Sequence, residues 1–98
     1  MKFNLEACVD KFAIIAKTMG LNVDNISPRE AAEVMIEELY ALIRDLNIKC
    51  DLKAVGITDE VLDELVDAGY SVRRLLDNNP REMTKQDIKE IYKKLCNN

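Results

Sequence analysis

The sequence predicts an all-α protein that folds as one compact bundle of about five helices. Apolar residues recur at intervals of three and four along most of the chain, which places them on one face of a helix. Several of these stretches begin at a residue that can cap a helix and end near a glycine. No stretch has the alternating pattern that is typical of a half-buried strand. Helices with one apolar side each favour a single domain with a shared core.

The first helix is predicted from residue 5 to residue 19. Its apolar residues are spaced by three or four positions: Leu5, Cys8, Val9, Phe12, Ala13, Ala16 and Met19. Gly20 follows directly and lacks a Cβ, so it suits the left-handed conformation that ends many helices. Cys8 belongs to the apolar set, and we interpret it as a buried, unreactive thiol.

The second helix has the clearest start in the chain. Ser27 can cap the free N–H groups, Pro28 fits the first helical position, and Glu30 completes a capping box. We expect the helix to continue to about Leu46. Its apolar face is predicted to comprise Ala32, Met35, Ile36, Leu39, Ile43 and Leu46, widened by Tyr40 and Leu42.

Residues 47–58 are predicted to connect the second and third helices. Leu52 and Val55 are expected to anchor this connector, and Thr58 can cap the helix that follows. The third helix is predicted to end near Gly69. Its apolar residues are Val61, Leu62, Leu65 and Val66.

The last third of the chain predicts a short helix, a turn and a final helix. The short helix is expected over residues 71–76, and the composition of residues 77–80 is typical of a turn. The final helix is predicted to start at Thr84, with Asp87 in the capping-box position. Its buried face is predicted to comprise Ile88, Ile91, Tyr92 and Leu95.

Composition excludes several classes of partner. The net charge of −4 disfavours binding to nucleic acids and to anionic membranes. No apolar run approaches the roughly 18–20 residues that span a bilayer, and the start of the chain lacks a signal-peptide pattern. Three widely spaced cysteines without a CxxC motif favour the cytoplasm, where thiols stay reduced.

The residue types needed for cofactor chemistry are missing. Histidine is absent, which removes the commonest general base and the commonest transition-metal ligand. The three glycines lie too far apart for a phosphate-binding loop. We therefore predict that this chain alone contains no catalytic, cofactor-binding or metal-binding residue.

The sequence nevertheless resembles a known enzyme family over its whole length. Residues 79–92 resemble the extreme C-terminus of the iron-containing (group III) alcohol dehydrogenases, where Asn-Pro-Arg, a threonine and an Asp-Ile…Ile-Tyr pattern close the chain. The matching residues here are Asn79-Pro80-Arg81, Thr84, Asp87-Ile88 and Ile91-Tyr92. Further matches, in the family's order, are Met1–Asn4, Phe12-Ala13, Ala16, Met19-Gly20, Ala31-Ala32 and Asp45–Ile48.

The resemblance implies a parent enzyme with a nucleotide-binding α/β domain followed by a helical domain. Such enzymes bind NAD or NADP and a divalent metal, usually Fe²⁺, which one aspartate and three histidines hold. They interconvert alcohols and aldehydes by hydride transfer, with the metal acting as a Lewis acid. None of those ligands has a counterpart here. The resemblance therefore implies a C-terminal helical fragment, about the last quarter of an enzyme, that is not catalytic alone.

One segment is implied to lie near the parent's active site. In the family, the loop before the Asn-Pro-Arg motif lies near the substrate, and here it comprises Leu75, Leu76, Asp77 and Asn78. We expect it to form part of a substrate-pocket wall, through apolar lining rather than proton transfer.

The expected partners are the remainder of the parent enzyme and a second copy of this chain. Self-association would use apolar helix faces left exposed, with the first helix and the Leu75–Leu76 region as the expected sites. The alternative hypothesis is a stand-alone helical protein-interaction module whose apolar groove binds an amphipathic helix.

Overall fold

The computed structural model describes residues 1–96 and contains five α-helices in this range. They are α1 (Leu5–Thr18), α2 (Pro28–Asp45), α3 (Leu62–Ser71), α4 (Arg73–Leu76) and α5 (Lys85–Cys96). Single 3-10 turns occupy Lys2–Asn4, Lys53–Val55 and Asp59–Val61. No strand occurs in the described range, so the all-α prediction is confirmed. Within the same range, the helices are too short or too polar to cross a lipid bilayer.

The chain divides into two compact units, Met1–Ile48 and Lys49–Asn98, which we describe in turn. That both units belong to one domain stays a prediction. In the first unit, α1 packs against α2. The two helices and the loop between them bury one apolar cluster: Cys8, Phe12, Ala16, Val23, Ala31, Ala32, Met35 and Ile36.

The predicted start of α2 and end of α1 are confirmed. The Ser27 side chain accepts a hydrogen bond from the Glu30 N–H at 3.2 Å, and Pro28 is the first helical residue. Gly20 has a φ of +83°, and its N–H donates to the Lys17 carbonyl at 3.0 Å. The Leu21 N–H donates to the Ala16 carbonyl at 3.2 Å, which completes a Schellman motif.

The end of α2 repeats this motif without a glycine. Asn47 has a φ of +54°, its N–H donates to the Arg44 carbonyl at 3.0 Å, and the Ile48 N–H donates to the Ile43 carbonyl at 3.1 Å. Asparagine is the residue that tolerates the left-handed conformation best after glycine. The sequence did not indicate this cap, because an asparagine marks the end of a helix less clearly than a glycine does.

The C-terminal half of α2 is more exposed than its apolar pattern predicts. Tyr40, Leu42 and Leu46 are 43%, 50% and 60% exposed. The reason is helix length: α2 has 18 residues, whereas α1 has 14. Lys2 precedes α1, and its Nζ lies 4.9 Å from the centre of the Tyr40 ring. The last turn of α2 therefore extends beyond the part that α1 covers.

The second unit is built on the packing of α3 against α5. Its buried residues are Leu62, Val66, Ile88 and Cys96, and half-buried residues surround them: Leu65, Ile91, Tyr92 and Leu95. The capping box is confirmed, since the Asp87 carboxylate accepts the Thr84 N–H at 2.8 Å and Thr84 Oγ1 accepts the Asp87 N–H at 3.2 Å. The bond from the Thr84 N–H is the main cause of a lowered pKa of Asp87, and the Thr84 hydroxyl, which donates to the same carboxylate at 2.9 Å, lowers it further.

Two ion pairs join α3 to α5. Lys89 Nζ lies 2.6 Å from Asp63 Oδ1, and Lys85 Nζ lies 3.0 Å from Asp67 Oδ1. The two acids are four residues apart on α3 and the two lysines four apart on α5, so the pairs lie one turn apart. The hydrogen bond from Lys89 lowers the pKa of Asp63. The apolar pattern of the sequence did not indicate these two pairs.

Several predictions about the second unit were wrong in detail. Helix α3 runs past Gly69 to Ser71, because Gly69 allows close packing rather than a turn: an added Cβ would lie 3.1 Å from the Tyr92 hydroxyl. Thr58 precedes a 3-10 turn but makes no side-chain capping bond. Helix α4 begins at Arg73 rather than at residue 71.

The connector is anchored by only one of its two predicted residues. Leu52 is half-buried, and its N–H donates to the Leu95 carbonyl at 3.1 Å. Val55 is 74% exposed in its 3-10 turn. Val61, predicted on the apolar face of the third helix, lies in the turn before α3 and is 38% exposed.

Candidate functional site

The predicted pocket-wall segment forms the end of α4 and the turn that follows. Leu75 and Leu76 are the last helical residues, and Asp77 and Asn78 continue as a turn. The Asp77 N–H donates to the Arg73 carbonyl at 2.8 Å, and the Asn78 N–H donates to the Leu75 carbonyl at 3.3 Å. The backbone of the segment is thus satisfied within its own helical turn.

The segment presents one large apolar side chain to its surroundings. Leu75 is 62% exposed, whereas Leu76 is half-buried. Asn78 is exposed, but its amide donates to the Arg74 carbonyl at 2.9 Å. What the segment offers a ligand is therefore the apolar surface of Leu75, flanked by polar groups that are already bonded locally.

Asp77 is held in an ion pair. Arg73 Nη2 lies 2.8 Å from Asp77 Oδ1. The Arg73 guanidinium also lies over the Tyr70 ring, 4.8 Å from its centre, and Nη1 donates to the Tyr70 carbonyl at 3.4 Å. The bond to Asp77 is the main cause of a raised pKa of Arg73. Asp77 is thus engaged by a neighbour in its own segment, and the surface that the segment leaves for a ligand is the apolar one of Leu75.

The tyrosines occupy boundary positions. Tyr70 and Tyr92 are half-buried in the second unit, and Tyr92 packs against Gly69. Tyr40 is exposed and lies beneath Lys2 in the first unit. Their surroundings agree with packing at a boundary rather than with a proton donor inside a cleft.

The residues of this chain do not fit an iron site. No histidine occurs in the sequence, and within residues 1–96 no three Cys, Asp or Glu side chains gather closely enough to hold a metal. Cys8, Cys50 and Cys96 form no disulfide with one another, and of these three only Cys50 is exposed. We derive no metal-dependent step from this chain.

The chain does not fit a dinucleotide either. Gly20 and Gly56 have positive φ but lie in separate turns, and an added Cβ would meet no atom within 4 Å at either position. Neither turn therefore contains the closely spaced glycines of a pyrophosphate-binding loop.

The first unit contains two shallow grooves that the sequence did not predict. One, of about 150 Å³, is lined by apolar residues and Tyr40: Met1, Ile36, Leu39, Tyr40 and Ile43. The other is lined largely by charged residues, where Arg29 Nη2 lies 2.6 Å from Glu6 Oε1 and Arg29 Nε lies 3.3 Å from Glu33 Oε1. These bonds raise the pKa of Arg29, chiefly through Glu6, so the positive charge of Arg29 is shared between two carboxylates of this groove.

Comparison with known proteins gives a match along the described chain. The model of the Fe-containing alcohol dehydrogenase family, C-terminal, matches residues 1–96. Lactaldehyde reductase of Escherichia coli (strain K12) is 35% identical over 92 residues, which are 94% of this chain and 24% of the relative.

Two further relatives match over the same region. The 1,3-propanediol dehydrogenase of Citrobacter freundii is 30% identical over 94% of this chain and 24% of its own. The NAD-dependent methanol dehydrogenase of Bacillus methanolicus is 33% identical over 93% of this chain and 24% of its own. The chain thus spans about a quarter of the length of these relatives. It belongs to the Fe-containing alcohol dehydrogenase family of alcohol and aldehyde oxidoreductases, and it matches that family's C-terminal, helical region.

Proposed function

We propose that this chain is the C-terminal helical fragment of a metal-dependent, NAD(P)-linked alcohol dehydrogenase and is not catalytic on its own. The family match over residues 1–96 supports the enzyme class, and the coverage of about a quarter of each relative supports the fragment. The sequence lacks histidine, and the residues described here do not fit a metal. Metal and dinucleotide are therefore assigned to the remainder of the enzyme, as the main partner of this chain.

We further propose that Leu75, Leu76, Asp77 and Asn78 form part of the substrate-pocket wall in the assembled enzyme. The single observation that carries this proposal is the 62% exposure of Leu75, in the segment that leads into the Asn79-Pro80-Arg81 motif. An apolar side chain at that place can contact the carbon chain of a small alcohol or aldehyde. The names of the relatives support substrates of that size, and one relative is NAD-dependent.

The isolated chain gives the first test. The pure protein, supplied with Fe²⁺, NADH or NADPH and lactaldehyde, is expected to oxidise no cofactor above the protein-free rate. The measurement is the absorbance of the reduced cofactor. Turnover that follows the 98-residue chain through purification would contradict the proposal.

A chimera gives the second test. The matching 92 residues of the Escherichia coli lactaldehyde reductase are replaced by those of this chain. We expect the chimera to reduce lactaldehyde. L75E is then expected to raise KM roughly tenfold or more, because a buried carboxylate loses solvation.

The matched control is V55E, which places the same charge on another exposed apolar residue. Val55 is 74% exposed in the connector, so KM is expected to stay within about twofold of the chimera's value, as for a neutral surface change. Equal effects of L75E and V55E would contradict the pocket-wall role.

Self-association through exposed apolar faces is part of the proposal. Within α1 the predicted face is buried against α2, but Ile14 is 66% and Ile15 40% exposed. Sedimentation velocity is expected to show dimers of the wild-type chain. The double variant I14E/L75E is expected to be monomeric. A monomer at all concentrations would contradict self-association, and a stable complex with an unrelated helical protein would favour the alternative of an interaction module.

We also propose a cytoplasmic location. Three cysteines that form no disulfide with one another support it, because thiols stay reduced in that compartment. Fractionation of the source cells tests this, and recovery from a membrane or secreted fraction would contradict it.

A further inference from the structure

Helix α4 has little of its own to hold it in place. It is four residues long, its N-cap makes no side-chain hydrogen bond, and none of its residues is buried. Helices this short are not stable by themselves, because nucleation is unfavourable. The position of Leu75 must therefore depend on contacts that tie α4 to neighbouring residues.

Arg73 supplies most of those contacts. Its guanidinium lies over the Tyr70 ring and donates to the Tyr70 carbonyl, at the end of α3. The same group donates to the Asp77 carboxylate, one turn further along the chain. One planar side chain thus joins the last turn of α3 to the residue after α4, which a fork of five N–H donors is suited to do.

We propose that Arg73 is a positioning residue, which fixes α4 to the end of α3 and so sets the place of Leu75 in the substrate-pocket wall. This inference rests on the proposed function of the segment. Arg73 itself faces Tyr70 and Asp77 and is not expected to touch the substrate. Lys85 Nζ lies 5.5 Å from the centre of the Tyr70 ring, so α5 also contributes to this support.

Arg74 is the matched control, because it has the same chemistry at the next position. Its side chain is exposed and makes no hydrogen bond or ion pair within residues 1–96, although its carbonyl accepts the Asn78 amide. Substituting Arg73 or Arg74 by Met removes one positive charge in each case and keeps most of the side-chain length. A difference between the two variants therefore reports the contacts and not the net charge.

The first measurement is amide hydrogen exchange in the 98-residue chain. In R73M, the N–H groups of Asp77, Asn78 and Asn79 are expected to exchange about fivefold faster, the effect of losing one exposed ion pair and one cation–π contact. In R74M the change is expected to stay below about twofold. R73K is expected to behave like R73M, because a single ammonium group cannot lie over the Tyr70 ring and bind the Asp77 carboxylate at the same time, as the guanidinium does. Equal exchange in R73M and wild type would overturn the inference and leave the proposed function untouched.

The second measurement is made in the lactaldehyde reductase chimera. R73M is expected to raise KM about fivefold, in line with the faster exchange, while kcat changes by less than about twofold. R74M is expected to change neither. A normal KM in R73M, together with a raised KM in L75E, would overturn the positioning role alone. A normal KM in both variants would overturn the pocket-wall function on which the role rests.

Discussion

The two units of the chain are stabilised in different ways. In the first, α1, α2 and their loop bury eight residues as one apolar cluster. In the second, α3 and α5 bury only four, whereas exposed ion pairs and a helix cap add to the packing in both units. Exposed ion pairs contribute little to stability compared with buried apolar groups. We therefore expect the second unit to open locally more often than the first.

This difference places the candidate site in the weaker unit. Segments that bind ligands are often drawn from the less stable parts of a protein. Two buried thiols, Cys8 in the first unit and Cys96 in the second, allow the comparison to be measured in one molecule. The rate at which a thiol reagent labels each reports how often its surroundings open, and Cys96 is expected to react before Cys8.

The largest expected effect is that of removing a side chain from the first core. Met35 is 0% exposed in α2, and M35A is expected to lower the free energy of unfolding of the first unit by about 2–5 kcal/mol. Labelling of Cys8 should then become faster than that of Cys96. The measurement is mass spectrometry of the labelled protein over time.

The control is L42A in the same helix. Leu42 is 50% exposed, so the expected change is within about 0.5 kcal/mol. Equal effects of M35A and L42A would show that the cluster around Met35 does not stabilise the first unit.

A smaller effect is expected from the capping box of α5. T84A removes the acceptor of the Asp87 N–H and should destabilise α5 by about 1 kcal/mol. The expected result is faster labelling of Cys96 with little change at Cys8. S27A, at the start of α2, is the matching variant, and it should affect Cys8 instead. Faster labelling of both thiols in either variant would show that the units do not open independently.

The smallest effect is a dependence on pH in the second unit. The folded chain lowers the pKa of Asp63 and of Asp87 below the ordinary value of 3.8. The stabilisation is therefore complete above about pH 5 and is lost as the pH falls through the lowered values. D63N is expected to weaken the acid dependence of Cys96 labelling at low pH, and D10N, in the first unit, to leave it unchanged. An unaltered pH profile in D63N would refute the contribution of the Asp63–Lys89 pair.

The starts of α2 and α5 and the end of α1 were predictable from local chemistry. Ser27, Pro28, Thr84 and Asp87 act through neighbours within three residues, so the sequence contains the whole interaction. Gly20 likewise ends α1 through bonds inside its own turn. The spacing of apolar residues by three and four positions, together with these caps, predicted the five helices and most of the buried residues.

The wrong predictions depended on tertiary structure. Leu46 and Val55 fit an apolar pattern, but no helix of their own unit covers them. Cys8 has non-helical backbone angles inside α1, φ −132° and ψ 19°, which no residue pattern indicated. The contact of Arg73 with Tyr70 was not predicted either. It joins α4 to the end of α3, and the start of α4 was predicted two residues too early.

The close approach of Gly69 to Tyr92 limits the size of the side chain at position 69. A side chain at position 69 would meet the phenol oxygen at 3.1 Å, so the two positions share one volume between α3 and α5. An alanine at position 69 would require the Tyr92 hydroxyl to move by a few tenths of an ångström, and a larger side chain would require a shorter residue at position 92. The spacing of α3 and α5 is thus tied to this pair of residues.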